Sequence, residues 1–493
     1  MYYTINMQKK IQIGLLIFCL ISLIYFLSAK GNIEISDTYF SIQTAKAIVS
    51  DHSLSAQGCR GGYCYKSKLD GKYYSKFGLG LAFIFTPYVL LAKTIAAFTS
   101  LPEDQLIDFL ISFYNIFFGA GACVIMFCLI RLFGNSNRTS LVMALLLGLG
   151  TFCWRYSTWD FSETAQMFFL LLAIYLLLKN NLKDAGLGAF SFSCLLLLKA
   201  QYMIYLPLFL LYILMQNRRD TKALLKRAGV FIFISLLGFG FILFLNYIRF
   251  GEFWEFGYGK EAGNFYFSGI KEHAVRLLYW LDKGVFIYNP LFILGILGYF
   301  KFFKAFRKEA LFFLSIISLN FILTCMWHGW HGASSWGPRY LVPVAALWLI
   351  PCYVFFHKKG AVKAILIALI FLSVSIQGLS ILQGNLEYLT ICNANEQEGM
   401  RKGMPAQIIG SLIVLKHKLV KKDSVYSLSE FGINSDSKVD TSVFPYYKGF
   451  DLWYLNAGRL LNKPVLKFTP ILFAPLIIIC CVRLLKITRT PTT

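Results

Sequence analysis

Asp37 lies in Ile-Ser-Asp-Thr-Tyr, a few residues beyond the first long apolar run. A carboxylate there can act as a general base on a substrate presented at a membrane surface, given a matched pKa or a well-placed acceptor. It can equally hold a divalent cation such as Mg, Mn or Zn through oxygen, or stand as a solvated loop acid or an N-cap for a helix over 39–49. Two further acids, Asp160 and Glu163, sit in Arg155-Tyr-Ser-Thr-Trp-Asp-Phe-Ser-Glu163. Spaced three apart, they share one face of a helix entering the membrane. Acids at a bilayer edge are costly unless hydrated or paired; the plain alternative is solvation plus stabilisation by the helix dipole.

The cations complement these acids. Arg339 ends the stretch Trp327-His-Gly-Trp-His-Gly-Ala-Ser-Ser-Trp-Gly-Pro-Arg-Tyr340; it has no acidic neighbour in sequence, and Tyr340 beside it. A guanidinium fork suits bidentate phosphate binding, with snorkelling to lipid head groups as the alternative. Lys76 precedes an apolar segment and Lys199 lies deep in a short turn between two apolar runs. A Lys in such a turn should face a wet cavity rather than lipid, and either could neutralise a phosphate. The candidate substrate-binding set is thus Lys76, Lys199, Arg339 and Tyr340. His331, with Asp37 and Glu163, makes a candidate metal set, although a close His pair (His328 and His331) is weak support by itself. Cys59 and Cys64, in Gly-Cys-Arg-Gly-Gly-Tyr-Cys, suit a disulfide in an oxidising compartment better than a metal site, because no second Cys or His pair is near.

The elements that must position these residues are membrane helices. The chain has 493 residues, of which 57% are hydrophobic, and its mean hydropathy is +0.60. A bilayer crossing takes about 20 apolar residues per helix. The pattern predicts an all-α polytopic membrane protein of about twelve spans: 11–28, 106–131, 139–153, 164–179, 185–199, 201–216, 227–248, 284–300, 309–327, 338–357, 361–383 and 467–486. The first reads as a retained span, since no small-x-small cleavage site follows it.

The net charge of +23 has a topological reading. With Lys9 and Lys10 placed inside, the inner loops and ends collect 21 of the 48 Lys and Arg but only Asp184, Asp220 and Glu309 of the 25 acids. That is the positive-inside pattern, with contact to anionic lipid, and it argues against nucleic acid as a partner. Making 77–98 a span would place Lys9/Lys10 and Arg218/Arg219 on opposite sides, so 77–98 is expected to be a re-entrant or interfacial helix. Both termini are then cytoplasmic and the candidate site faces outward. The organisation expected is a transmembrane module over 1–383, whose first outer loop (29–105) carries interfacial helices; an extracytoplasmic loop over 384–466, with a helix near 406–418 and a strand near 424–429; and a last span with a cytoplasmic tail over 467–493. No Walker motif, Gly-rich phosphate loop or internal repeat is present. The lack of a repeat argues against a secondary transporter, since many such folds are duplicated.

In this order the pieces resemble the GT-C class of polytopic glycosyltransferases, specifically the protein mannosyltransferase and aminoarabinose transferase superfamily in a bacterial branch. The likeness rests on Asp37 followed by the helical stretch 41–50, on Tyr73-Tyr-Ser-Lys76 leading into 77–98, and on Glu163 at the junction after the third span. It extends to Asn246-Tyr-Ile-Arg-Phe-Gly, Lys283-Gly-Val-Phe-Ile-Tyr-Asn-Pro290 and Ser335-Trp-Gly-Pro-Arg-Tyr-Leu-Val-Pro343, covering roughly 10–380. The resemblance implies transfer of a sugar, with inversion, from a polyprenyl-phosphate donor to a lipid, glycan or protein acceptor outside the cytoplasmic membrane. It gives Lys76 the role of contacting lipid phosphate and makes Glu163, or Asp160, the second acid. Two departures are plain. The first-loop acid is single where many members carry Asp-Glu, which argues against a two-carboxylate metal site, and Phe77 stands where others often have Pro. A transporter or flippase of a lipid-linked glycan is the competing reading.

Overall fold

A computed structural model describes residues 2–56, 58–59, 61–216, 220–259, 263–333, 335–382, 387, 407–421, 425–431, 438–441 and 450–489. It is a helical bundle with two small antiparallel hairpins. Among the described residues, seven helices are long and apolar enough to cross a membrane: 8–28, 79–98, 103–132, 221–250, 307–326, 361–382 and 464–488. The chain is therefore a multi-pass membrane protein.

The other expected spans fall on shorter or interrupted helices, so length alone does not reproduce a count of twelve. The region 338–357 is a 3-10 turn (Arg339–Val344), a short helix and a second 3-10 turn (Ile350–Phe355). Pro343 and Pro351 lie within it, and each removes an N–H and crowds the preceding turn. Likewise, Asn289-Pro290 separates the short helix Val285–Tyr288 from the helix Leu291–Ala305. The segment expected to be interfacial forms one 20-residue helix, α3 (Leu79–Phe98). It belongs to the set long enough to cross, so the interfacial course rests on the distribution of basic residues and on the resemblance at Tyr73–Lys76.

The core gathers around α1 (Tyr2–Ser28), α5 (Tyr114–Leu132), α6 (Asn137–Gly150), α8 (Glu163–Leu178) and α9 (Leu182–Leu198). A second cluster joins α2 (Ser36–Asp51) and α3 to the end of α9 through Ile42, Leu81, Phe85 and Leu198. It fixes the first outer loop against the bundle. Within 384–466, the described residues include a helix (Gln407–Lys416) and a hairpin pairing Val425–Ser427 with Lys438–Asp440, near the helix and strand positions expected from the sequence.

Candidate functional site

Asp37 sits in the first turn of α2. Thr38, Ser41, Ile42 and Ala45 bury one face of this helix while Tyr39 stays exposed, a helical-period stripe that pins its start to the bundle. Ile35, not Asp37, is the N-cap. The Asp37 carboxylate is half-buried and has no hydrogen-bond or ion-pair partner among the described residues. It does act electrostatically on Arg339.

Asp160 and Glu163 part company in space. Asp160 is 1% exposed. Its Oδ2 accepts the backbone N–H of Glu34 at 3.2 Å and of Ile35 at 3.0 Å, and its carbonyl accepts the Thr38 hydroxyl. Asp160 thus grips the residues that lead into α2 and is not presented to a substrate, in contrast to its candidacy as a second catalytic acid. Burial, and then the nearby Glu34 carboxylate, push its pKa up to about 7.

Glu163 opens α8 and turns the other way. Its Oε1 lies 3.3 Å from Arg339 Nε and 3.9 Å from Lys199 Nζ. The second oxygen, Oε2, is buried without a hydrogen-bond partner, as is Arg339 Nε, whose approach to Glu163 is too oblique for a hydrogen bond. Lys199 reaches this point because α9 ends at Leu198 and Lys199 is extended. Its ammonium also lies 5.1 Å from the Tyr340 ring. Arg339 donates to the Tyr340 hydroxyl at 2.8 Å and stacks on Phe161 and Tyr340 at 4.5 and 4.7 Å. The acidic partner that Arg339 lacks in sequence is thus supplied by another helix.

The loop before Arg339 is shaped by groups outside it. Lys283, fully buried, donates to the carbonyls of Ala333 and Ser335 at 2.9 and 2.5 Å, and burial pushes its pKa down to about 7. Tyr156 donates to the Trp336 carbonyl at 2.9 Å, and the Gly337 N–H donates to Gln407 Oε1 at 3.1 Å. Gly337 has φ +58°, and a Cβ there would lie 2.8 Å from the Tyr288 ring, so this sharp turn needs glycine. Lys283 was part of a sequence motif, but its role was not legible: nothing in the spacing ties it to residue 333.

Lys76 is delivered by a hairpin. Strands β1 (Cys64–Lys66) and β2 (Tyr73–Ser75) pair with Cys64 opposite Ser75. Cys59 and Cys64 are bonded, with Cα atoms 5.8 Å apart, bracing the strand beside Lys76. The Lys76 ammonium lies 5.4 Å from the Tyr63 ring and 5.5 Å from the Tyr258 ring. Sequence reasoning missed this aromatic cage; the one available signal was the aromatic richness of 249–283.

Among the described residues, no group of three or more His, Cys, Asp or Glu is placed to hold a metal ion. His331 Nδ1 accepts the Ala333 N–H at 2.9 Å, and Glu163 is engaged by two cations. Asp37, Glu163 and His331 therefore do not form a protein-built metal centre.

No protein-family model and no curated protein matches this chain. Its fold does match solved membrane enzymes. The Archaeoglobus fulgidus oligosaccharyltransferase, solved in complex with Zn and sulfate, aligns with TM-score 0.53 and 15% identity, over 78% of this chain and 56% of that one. The chain shares the fold of that enzyme. Archaeoglobus fulgidus AglB with an inhibitory peptide and a dolichol-phosphate matches at TM-score 0.52 and 13% identity, over 79% and 58% of the two chains. ArnT from Cupriavidus metallidurans bound to undecaprenyl phosphate aligns at TM-score 0.49 and 13% identity, over 96% and 75%. The chain spans less than two thirds of the archaeal enzymes' length.

Proposed function

We propose that this chain is an integral membrane glycosyltransferase that moves a sugar from a polyprenyl-phosphate donor to a lipid, glycan or protein acceptor, with inversion. The reading places the reaction on the outer face of a bacterial cytoplasmic membrane, both termini being cytoplasmic. The observation that carries it is a half-buried Asp37 carboxylate, without a hydrogen-bond or ion-pair partner among the described residues and acting on Arg339, which with Lys199 converges on Glu163. The shared fold supports it, as does the dolichol-phosphate bound by the archaeal relative.

In this reading the acceptor hydroxyl or amide attacks the anomeric carbon as its proton passes to Asp37. The bond from that carbon to the phosphate oxygen breaks, and polyprenyl phosphate leaves. Lys76 and Arg339, with Lys199 and Tyr340, meet the charge that develops on the leaving oxygen. Glu163 orients these cations and the acceptor. A divalent cation would need substrate oxygens to complete its shell, because the chain's own candidate ligands do not converge; no step is routed through one. Loop 384–466 is assigned to acceptor choice.

The test is reconstitution of the purified protein in vesicles with a polyprenyl-phosphate sugar and envelope acceptors. Free polyprenyl phosphate and a glycosylated acceptor support the reading. Relocation of intact donor between leaflets, with no product, would establish a flippase instead.

A further inference from the structure

A buried ionic layer just ahead of α2 in the chain is assembled from the two ends of the sequence. Lys30 Nζ lies 3.3 Å from Glu34 Oε1 and 2.9 Å from Asp451 Oδ2, with all three side chains at most 5% exposed. Asp451 Oδ1 accepts the Asn456 amide at 2.8 Å, and that amide also reaches the Lys30 carbonyl at 3.5 Å. The Arg155 guanidinium stacks 3.9 Å over Trp159 and feels Glu34, Asp451 and Asp160.

Backbone contacts lock the same joint. The Trp453 N–H donates to the Ala29 carbonyl and its indole N–H to the Phe26 carbonyl, both at 2.9 Å. Its ring packs on Phe26 and Phe109. Gly31 has φ +79°, and a Cβ there would lie 2.6 Å from Trp453 Cβ. The next contacts along the chain are the Glu34 and Ile35 amides on Asp160, followed at once by the first turn of α2 and Asp37.

We propose that Asp451 is a positioning residue for the transfer reaction. Through Lys30 it fixes residues 30–35 and thereby the orientation of Asp37, so the segment around 450–460 belongs to the frame of the active site. The inference rests on the reading of Asp37 as the base. Burying five ionisable groups is a poor way to gain stability, since a buried ion pair recovers little more than its desolvation cost. The cluster instead directs its groups: Lys30 holds both Glu34 and Asp451, and Asp160 holds the Glu34 and Ile35 amides. Small displacements of a reacting group are expensive: about 1 Å can cost about 100-fold in rate.

The test uses the full-length protein in nanodiscs and compares wild type with Asp451→Asn, Asp451→Glu and Asp37→Asn. Asp451→Asn leaves Lys30 paired with Glu34, so the buried ammonium keeps a counter-charge and the protein should fold. Three readouts are taken: kcat, the donor KM, and hydrogen exchange at the Glu34 and Ile35 amides. The proposal expects kcat to fall by about 10- to 100-fold at unchanged donor KM, exchange at both amides to accelerate, and Asp451→Glu to restore most of the rate. Unchanged exchange overturns it, because Asp451 then does not hold the loop. Faster exchange with wild-type kcat overturns it too, because the pair is then structural only. Wild-type turnover by Asp37→Asn refutes the base instead, a separate failure that the exchange measurement does not share.

Discussion

Glu163 and Arg339, brought from the start of α8 and from the turn after Gly337-Pro338, meet with Oε1 and Nε 3.3 Å apart. The carboxylate stands between two cations that a donor phosphate would also require. Glu163→Gln should therefore release Arg339 and Lys199, tightening the binding of undecaprenyl phosphate while slowing transfer. Removing one partner from a buried pair costs about 3–5 kcal/mol, so the thermal midpoint should fall. Weaker lipid-phosphate binding by this variant would mean that Glu163 does not compete with the phosphate.

Asp37 carries little structural burden. Its carboxylate has no hydrogen-bond or ion-pair partner among the described residues, so Asp37→Asn should cost only about 0.3–1 kcal/mol, the worth of an acid in the first turn of a helix. Loss of a general base should cost about 100- to 10,000-fold in turnover. A calorimetric scan alongside a product assay separates the two effects, and wild-type-like turnover would remove Asp37 from the mechanism.

Lys76 sits between Tyr63 and Tyr258, whose ring faces hold its ammonium. Lys76→Met keeps the packing and removes the charge. The donor KM should rise by about tenfold or more, in line with the loss of a charge-assisted hydrogen bond worth about 1.5–3 kcal/mol. Tyr258→Ala should act in the same direction but less, since a cation–π contact is worth about 0.5–2 kcal/mol. An unchanged donor KM in Lys76→Met would place the phosphate elsewhere.

Asp160 gives the fold a pH dependence with a definite sign. Its pKa rises from 3.8 to about 7 on folding, first through burial and then through Glu34. Across that interval the folded state holds a proton that the unfolded state has lost, so stability declines as pH rises. The contribution is complete below about 4 and gone once pH passes about 7. Asp160→Asn keeps an acceptor for the Glu34 and Ile35 amides and cannot titrate. Thermal midpoints at pH 5 and pH 8 should differ less in the variant than in wild type; equal differences would mean that Asp160 does not titrate in this interval.

The sequence by itself determined that this is a polytopic membrane protein, because apolar run length is a local property that the bilayer reads directly. It also marked the types and neighbourhoods of Asp37, Lys76, Glu163 and Arg339, and local pattern located the helix at Gln407–Lys416 and the strand at Val425–Ser427. Tertiary structure alone decided which charges meet. Asp160 and Glu163 share a helical spacing, yet one turns inward to backbone amides and the other toward Arg339, because Asp160 lies in the turn before α8 and is not on its face. Asp451 against Lys30, the Ala333 and Ser335 carbonyls against Lys283, and Glu163 against Arg339 all come from segments far away in sequence. Burial enforces such pairings, since an unpaired charge in a low-dielectric interior is too costly to keep. No periodicity in the chain encodes which distant segment supplies the partner; the packing of the helices does.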